Sequence, residues 1–213
     1  MMISLIVIFV LSYLVGSIPT SIIFSKLFKG IDIRDYGSGN AGGTNAMRVL
    51  GWKLGILVML IDVLKGVVAT LFISSIRIDP LTLNPEIVKI IAGHGAIFGH
   101  IWTVFAGFRG GKGVGTGAGM LLALYPTALL ICLTIFIIVL LAFRMVSLAS
   151  MSAAVSLPIV LYVLRTYFDY HASDLLFYFS ILIALIIIFT HRSNIKRIMN
   201  GNENKISLKK SAS

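Results

Sequence analysis

Long apolar runs separated by short polar segments are the feature of this sequence that most limits its fold. At about 20 residues each, these runs are long enough to cross the hydrocarbon core of a bilayer as helices. Of the 213 residues, 58% are hydrophobic and only 12% are charged, whereas about 25% are charged in soluble domains. The sequence therefore predicts an all-α integral membrane protein. The clear runs cover residues 3–25, 54–76, 87–106, 147–164 and 174–190.

One further run, residues 114–143, is too long for a single upright helix, since it would extend about 45 Å at about 1.5 Å per residue. Pro126 interrupts it, and a split there gives spans over about 113–125 and 127–143. With one span here the chain crosses six times and its basic segments fall on both sides. With two spans it crosses seven times and most basic residues share one side, which the positive-inside rule makes cytoplasmic. We therefore expect seven transmembrane helices, with the N-terminus outside and the C-terminus cytoplasmic.

The net charge of +10 follows from this sidedness. Although they share one side of the membrane, the basic residues are scattered among several loops and form no continuous basic surface. No nucleic acid is therefore expected as a partner. The whole chain, 1–213, is expected to be a single transmembrane domain with a cytoplasmic tail over 191–213. The basic residues that share one side are Lys26, Lys29, Arg34, Arg48, Lys53, Arg109, Lys112, Arg144, Arg192, Lys196, Arg197, Lys205, Lys209 and Lys210.

Four polar segments interrupt the apolar pattern, and with seven spans all of them face the cytoplasm. Runs of Gly, Ser and Asn let successive backbone N–H groups converge on one point, and such arrangements bind anions, phosphate above all. A helix N-terminus strengthens the attraction. Arg48 and Lys112 each add a cation, so the sequence predicts two phosphate sites, for two anionic substrates or for one with two phosphates. The segments are YGSGNAGGTNAMRVLG (36–51), GFRGGKGVGTGAG (107–119), RMVSLAS (144–150) and HRSNIKRIMNGNENK (191–205).

Structural explanations compete with these functional ones. Glycines in segment 107–119 recur every four residues, as close packing between membrane helices requires, and this use is compatible with an anion site. A nucleotide-binding P-loop is not supported, because Ala106 replaces its first glycine and Gly113 follows the lysine. Asp62 and Lys65 lie three residues apart in a predicted span, and we expect them to form a buried ion pair.

The polar segments closely resemble the motifs of a known bacterial family, the membrane glycerol-3-phosphate acyltransferases that use acyl phosphate (the PlsY family). The matching stretches are GSGNAGGTN, GFRGGKGVGTG, RMVSLAS and HRSNIKRIMNGNE, in the family's order. The resemblance covers almost the whole chain, including its length and seven-span layout. The sequence departs from the family where Gly43 and Gly115 replace a usual alanine and Thr103 replaces a common proline. We expect the two glycines to remove a methyl group from the backbone around the anion.

The resemblance implies transfer of a fatty acyl group from acyl phosphate to the 1-hydroxyl of sn-glycerol 3-phosphate, giving lysophosphatidic acid and phosphate. This reaction is the first acylation step of phospholipid synthesis, and the family places it in the bacterial cytoplasmic (inner) membrane, with the active site facing the cytoplasm. The implied partners are the two substrates and membrane lipid, and an acyl-phosphate synthase that forms the donor is a further candidate. In acyl-CoA-dependent glycerolipid acyltransferases His is followed five residues later by Asp, and that signature is absent here.

The resemblance also assigns roles to individual residues of the polar segments. The acyl-phosphate-binding set is Ser38, Gly39, Asn40, Gly42, Thr44 and Asn45. The glycerol-3-phosphate-binding set is Arg48, Lys112, Ser147, His191 and Asn194. The catalytic set is Ser38, Lys112, His191 and Asn194.

Three routes for the reaction stay open. Acyl phosphate is already activated, so the enzyme mainly has to position the substrates and stabilise the departing phosphate. The hydroxyl proton goes either to His191 or to a phosphate oxygen of a substrate, and a covalent route through Ser38 with a histidine base is the third alternative. Because no His, Cys and carboxylate residues share metal-ligand spacing, we expect no metal and no cofactor.

Two other classes of protein compete with an enzyme. A transporter of phosphate esters would need similar anion sites, but transporters often show an internal repeat with paired broken helices. No later helix repeats the glycine-rich stretch 110–119. A structural or lipid-scaffold protein has no use for polar clusters gathered on one face.

Overall fold

The computed structural model describes residues 2–206, and this part of the chain is helical without strands. Lys209 and Lys210, which enter the charge argument, lie outside the described residues. The chain divides into two compact units, Met1–Pro126 and Thr127–Ser213.

The helices of the first unit follow the apolar runs and the first two polar segments. They are α1 (Met2–Gly16), α2 (Thr20–Lys29), α3 (Gly43–Leu50), α4 (Trp52–Leu71), α5 (Pro85–Ile101) and α6 (Val114–Leu124). Short 3-10 helices cover Ile33–Asp35, Ile73–Ser75 and Val104–Ala106. The helices that follow are α7 (Pro126–Phe143), α8 (Val146–Tyr167), α9 (Asp174–Thr190) and α10 (Arg192–Met199).

Several of these helices are long and apolar enough to cross a membrane. Among the described residues five candidate spans stand alone, and the pair formed by α9 and α10, bent by 59°, raises the number to six. Helix α6 is apolar but has only 11 residues, and counting it as a short span gives the seven crossings predicted from charge. The five spans are Met2–Lys29, Trp52–Ser75, Pro85–Ala106, Pro126–Phe143 and Val146–Tyr167.

The first apolar run, predicted as one continuous span, consists of two helices separated by a break before Pro19. Proline has no N–H group and cannot continue the hydrogen bonding of α1. Side chains from other helices bind the carbonyl groups at the break: the Thr103 hydroxyl donates to the Ser17 carbonyl, and the Lys65 ammonium donates to the Ile18 carbonyl at 2.7 Å. Buried carbonyl groups need such partners, so these side chains hold the break in place.

Glycines allow the helices of the first unit to approach one another closely. A Cβ added at Gly119 in α6 would overlap the Val63 carbonyl oxygen in α4, and one added at Gly66 in α4 would overlap the Thr116 carbonyl oxygen in α6. Gly99 brings α5 equally close to α1. Small residues at such contacts are what close helix packing in lipid requires. The glycine spacing in segment 107–119 therefore serves packing once the chain has entered α6.

The second unit is organised by the antiparallel pair α8 and α9. The Ser173 side chain caps the start of α9, and Arg165 near the end of α8 pairs with Asp174 at 2.5 Å. Both contacts lie at the end of the pair where the two helices are connected. At the opposite end of this unit, Ser147 lies in the first turn of α8 and His191 follows α9.

Candidate active site

The first glycine-rich segment forms a turn, residues 36–42, which we call the first loop. Gly37 and Gly39 have φ angles of 63° and 73°, a region that glycine adopts without strain. The amide of Gly39 donates to the carbonyl of Tyr36 at 3.1 Å. Asn40 and Gly42, both assigned to the acyl phosphate, are half-buried at the end of the turn.

The Asn45 side chain holds the first loop together from inside α3. Its amide nitrogen donates to the carbonyls of Ile33 and Tyr36 at 3.1 and 3.0 Å, and its oxygen accepts from the amide of Ser38 at 2.8 Å. Asn45 is 1% exposed, so all three hydrogen bonds are sheltered from water. Asn45 therefore organises the loop backbone, a use that the resemblance alone does not distinguish from binding the anion.

These hydrogen bonds narrow the set of backbone donors that can meet an anion. The amides of Ser38 and Gly39 are engaged inside the loop. The amides at the start of α3, Gly43 to Asn45, have no acceptor within the helix, as in the first turn of any α-helix. Thr44 in that turn is half-buried, and Arg48, four residues later on the same face, is exposed. The groups of α3 that could meet an anion are therefore the amides of its first turn and, in its last turn, the Arg48 side chain.

The segment 107–113, which we call the second loop, leads into α6. Gly107 and Phe108 have left-handed φ angles of 63° and 59°, and Gly113 has one of 84°. A left-handed phenylalanine is uncommon, so the turn at Phe108 depends on its surroundings. Lys112 is half-buried just before the first turn of α6. This arrangement combines a cation with a helix N-terminus, as the sequence predicts.

A buried charged cluster lies directly beneath the second loop. The predicted ion pair is confirmed, with the Lys65 ammonium 2.6 Å from the Asp62 carboxylate, and His100 Nδ1 lies 3.6 Å from that carboxylate. The His100 carbonyl accepts from the Gly111 amide at 2.9 Å, and a Cβ added at Gly111 would overlap the His100 ring. The Gly111 amide therefore faces the protein interior rather than an anion.

The two glycines that replace the family's alanines face helix α4. A Cβ added at Gly43 would overlap the Met59 side chain and lie 3.3 Å from Met59 Cα. A Cβ added at Gly115 would lie 3.3 Å from Asp62 Cβ. A methyl group at either position would therefore point into a contact with α4, so the two glycines act on helix packing.

Arg34, which sequence reasoning counted only as a basic residue, lies at the base of the first loop. Its guanidinium donates to both carboxylate oxygens of Asp32, at 3.0 and 2.7 Å, and to the Ala106 carbonyl at 2.8 Å. Hydrogen bonding from Arg34 lowers the pKa of the Asp32 carboxyl to about 2, and the same contact raises the pKa of Arg34. The charge of Arg34 is therefore neutralised by its neighbour.

In the second unit, Glu203 gathers three polar side chains. Its carboxylate accepts from Ser147 Oγ and Asn194 Nδ2, both at 2.7 Å, and from Arg197 Nε at 2.8 Å. Burial opposes ionisation of Glu203, but the hydrogen bonds from Arg197, Ser147 and Asn194 outweigh it and hold the pKa below its ordinary value. Sequence reasoning missed this residue. The available signal was a single acidic residue in the otherwise basic segment 191–213.

His191 lies between α9 and α10 and is 3% exposed. Its Nδ1 is 2.8 Å from the Ile187 carbonyl oxygen. A carbonyl can only accept, so Nδ1 carries the proton and Nε2 carries the lone pair in the neutral ring. In this tautomer the ring can take a proton at Nε2, as a general base requires.

The predicted site residues fall in both units. Arg48 and Lys112 belong to the first unit, whereas Ser147, His191 and Asn194 belong to the second. Within residues 2–206 no three His, Cys, Asp or Glu side chains are grouped as metal ligands. The groups of the first unit can offer anion binding by backbone amides and cations, and the imidazole of the second unit can offer proton transfer.

The sequence profile of the family described as "Glycerol-3-phosphate acyltransferase" matches residues 6–201. This chain belongs to the glycerol-3-phosphate acyltransferase family. A member from Chlorobium phaeobacteroides (strain BS1) is 46% identical over an alignment 233 positions long, which covers 96% of this chain and 97% of that protein. A member from Chlorobaculum tepidum is 44% identical over an alignment 227 positions long, which covers 97% of this chain and 98% of that protein. Membership makes the chain an acyltransferase of phospholipid biosynthesis.

Two crystal structures of PlsY (YgiH), described as an integral membrane glycerol 3-phosphate acyltransferase, share this fold. The glycerol 3-phosphate form superposes with a TM-score of 0.83 and the lysophosphatidic acid form with 0.80. In each case the identity is 36% and the match covers 96% of both chains. The acyltransferase family is therefore supported by sequence and by fold over nearly the same residues.

Proposed function

We propose that this protein transfers a fatty acyl group from acyl phosphate to the 1-hydroxyl of sn-glycerol 3-phosphate, releasing lysophosphatidic acid and phosphate. The observation that carries the choice of donor is the first loop, where Asn45 fixes a compact turn next to the first-turn amides of α3, which have no acceptor within the helix. Such a site fits one phosphate group. Residues 37–43, which lead from the loop into α3, carry no aromatic side chain that could stack on the adenine of coenzyme A.

In the first unit, the donor phosphate lies against the amides at the start of α3, near Ser38 and Thr44. Arg48 and Lys112 bind the phosphate of glycerol 3-phosphate, Arg48 as a planar fork and Lys112 as a point charge. The amides and cations of this unit also stabilise negative charge as phosphate leaves.

In the second unit, Ser147, His191 and Asn194 hold the glycerol moiety. The acceptor oxygen attacks the acyl carbonyl, the bond between that carbon and the phosphate oxygen breaks, and phosphate departs with the electron pair. The hydroxyl proton passes to His191 Nε2 or to a phosphate oxygen of a substrate. Glu203 holds Ser147 and Asn194 in place.

A covalent route through Ser38 is the remaining alternative. It predicts a stable acyl adduct on the protein that disappears in Ser38→Ala. Because direct transfer needs no nucleophile from the protein, we expect no such adduct by mass spectrometry after exposure to acyl phosphate alone. An adduct that maps to Ser38 would replace the direct route.

We also propose that the chain crosses the bacterial inner membrane seven times, with the site on the cytoplasmic side and the N-terminus outside. A cysteine at Thr82 should react only from outside and a cysteine at Asn204 only from the cytoplasm, in a Cys132→Ala background, because basic loops stay inside. Membrane-impermeant maleimide on intact and opened cells separates the two cases. Reaction of both cysteines from the same side would contradict seven crossings.

The donor is tested with purified protein and labelled glycerol 3-phosphate, comparing palmitoyl phosphate with palmitoyl-CoA at equal concentration in the same detergent. We expect lysophosphatidic acid from palmitoyl phosphate alone. Comparable product from palmitoyl-CoA would overturn the assignment of the first loop to a bare phosphate. A donor-forming acyl-phosphate synthase would then lose its place as the proposed partner.

A further inference from the structure

Arg34 connects the two glycine-rich loops of the first unit. Its guanidinium donates to both oxygens of Asp32 and, through another nitrogen, to the Ala106 carbonyl at 2.8 Å. The Asp32 carboxylate also accepts from the Arg34 backbone amide at 3.0 Å. Arg34 is half-buried. Charge-assisted hydrogen bonds to Asp32 on one side and to the Ala106 carbonyl on the other fix the position of its guanidinium.

The Ala106 carbonyl lies directly before the left-handed pair Gly107 and Phe108 that opens the second loop. The same carbonyl is 3.4 Å from the amide of Arg109 on the far side of that turn. Because a non-glycine residue in this conformation carries strain, the turn needs external support. Arg34 supplies that support from outside the loop, and Lys112 lies at the loop's end.

The short helical turn that contains Arg34, Ile33–Asp35, leads directly into the first loop. Asn45 holds the carbonyls of the residues flanking the Arg34–Asp35 step, Ile33 and Tyr36. Ile33 is fully buried and belongs to an apolar cluster against which Ala106 packs. The same short helical turn, Ile33–Asp35, therefore anchors the first loop through Asn45 and the second loop through Arg34.

We propose that Arg34 is a positioning residue that sets where the second loop, and with it Lys112, lies relative to the first loop. The inference rests on the proposed function, since it takes Lys112 as a ligand of the glycerol 3-phosphate phosphate. We assign Arg34 no contact with the phosphate, because three of its five N–H groups are engaged by Asp32 and Ala106 and the Asp32 carboxylate offsets its charge. Lysine cannot replace it, because an ammonium lacks the planar fork that serves two acceptors at once.

The test measures KM for each substrate, kcat, and direct binding of labelled glycerol 3-phosphate, for wild type and for Arg34→Ala, Arg34→Lys and Asp32→Asn. A misplaced binding group costs up to about 100-fold, so we expect KM for glycerol 3-phosphate to rise about 10- to 100-fold in Arg34→Ala. Arg34→Lys should recover little of this loss. The matched control is Arg109→Ala, which removes an exposed cation from the same loop and should change KM less than about twofold.

Asp32→Asn decides between positioning and direct phosphate binding. A positioning role predicts weaker binding of glycerol 3-phosphate, because the guanidinium loses its anchor. Tighter binding, as expected if Asp32 merely competes with substrate phosphate for Arg34, would overturn the proposal. Unchanged KM in Arg34→Ala, or full recovery in Arg34→Lys, would also overturn it. If wild type neither binds glycerol 3-phosphate nor acylates it, the proposed function fails and this inference fails with it.

Discussion

The first loop and the Glu203 cluster are both small polar structures held by one buried side chain, yet they are built differently. Asn45 is a neutral amide that bonds to backbone groups at Ile33, Tyr36 and Ser38. Glu203 is a carboxylate that bonds to the side chains of its neighbours. The first arrangement fixes the path of the chain, and the second fixes the orientation of side chains.

This difference indicates what each region presents to a substrate. A fixed backbone that ends at a helix start presents amides, which carry no net charge and do not titrate. A carboxylate surrounded by donors presents side chains whose arrangement depends on its ionisation. We therefore expect the first region to respond to changes in shape and the second to changes in pH.

The largest effects should come from removing the cations beside the backbone-held loops. Loss of a desolvated contact between a charge and a phosphate costs about 2–5 kcal/mol, so Arg48→Ala and Lys112→Ala should each lower kcat/KM by about 30-fold or more. Arg48→Lys should remain impaired because it lacks the fork. Lys53→Ala, which removes an exposed cation near the start of α4, is the control. Near-normal turnover in Lys112→Ala would assign that residue to helix capping instead.

The next effect should come from Asn45→Ala, which breaks the first loop without touching its cation. Each buried group left without a partner costs about 1–3 kcal/mol, so KM for acyl phosphate should rise about tenfold or more. Initial rates at varied acyl phosphate give this value. Asn202→Ala, at an exposed asparagine, is the matched control. Equal effects of the two variants on KM for acyl phosphate would show that Asn45 has no specific part in donor binding.

Glu203→Gln should affect stability more than donor affinity. The folded pKa of Glu203 lies below its ordinary value, so the carboxylate contributes stability above the ordinary pKa of about 4.3, and that contribution is lost as pH falls through the folded pKa. Wild type should therefore lose thermal stability below about pH 4.3 more steeply than Glu203→Gln. At neutral pH the variant should be less stable by about 1–3 kcal/mol.

Thermal unfolding in detergent at a series of pH values checks this prediction. KM for acyl phosphate serves as the readout for the first region and should stay within about twofold, because Glu203 makes its hydrogen bonds inside the second unit. If the unfolding temperatures of wild type and Glu203→Gln changed with pH in parallel, the charge of Glu203 would contribute nothing to stability.

Much of the first unit could be predicted from sequence because its signals are local. The apolar runs, the Asp62–Lys65 spacing and the glycine-rich entry to α6 each lie within one stretch of chain. The break at Pro19 also had a local signal, the proline itself, but hydropathy averaged over a whole span conceals it. The partners of the freed carbonyls, Lys65 and Thr103, are distant in sequence and could not be predicted.

The roles of Asn45, Arg34 and Glu203 could not be predicted, because each depends on where a turn folds. Asparagine in a glycine-rich segment predicts an anion ligand and a loop support equally well. Only the positions of the Ile33 and Tyr36 carbonyls decide between them. Similarly, nothing in the sequence pairs Arg34 with Ala106, 72 residues away.

The smallest effects should come from two glycines in the first turns of helices, Gly43 in α3 and Gly117 in α6. Gly43→Ala should destabilise the protein by about 1 kcal/mol because the methyl group meets Met59. Gly117→Ala should stabilise it by about 0.5–1 kcal/mol, because the added Cβ would lie at an ordinary 3.7 Å from Ile97 and alanine favours the helix. Thermal unfolding of both variants gives the sign, and stabilisation by Gly43→Ala would show that α3 and α4 have room to separate.

We propose above all that the phosphate of the donor binds to the backbone amides at the start of α3, which the first loop and Asn45 hold in place. Inorganic phosphate, a product that fits the same site, tests this claim most directly. We predict that phosphate inhibits wild type competitively against acyl phosphate. Gly42→Leu should weaken the binding of both phosphate and acyl phosphate, because a Cβ added at Gly42 meets only Asn40 within 4 Å and the side chain beyond it would fill space that the anion needs. Inhibition competitive only against glycerol 3-phosphate, with unchanged donor KM in Gly42→Leu, would contradict the account.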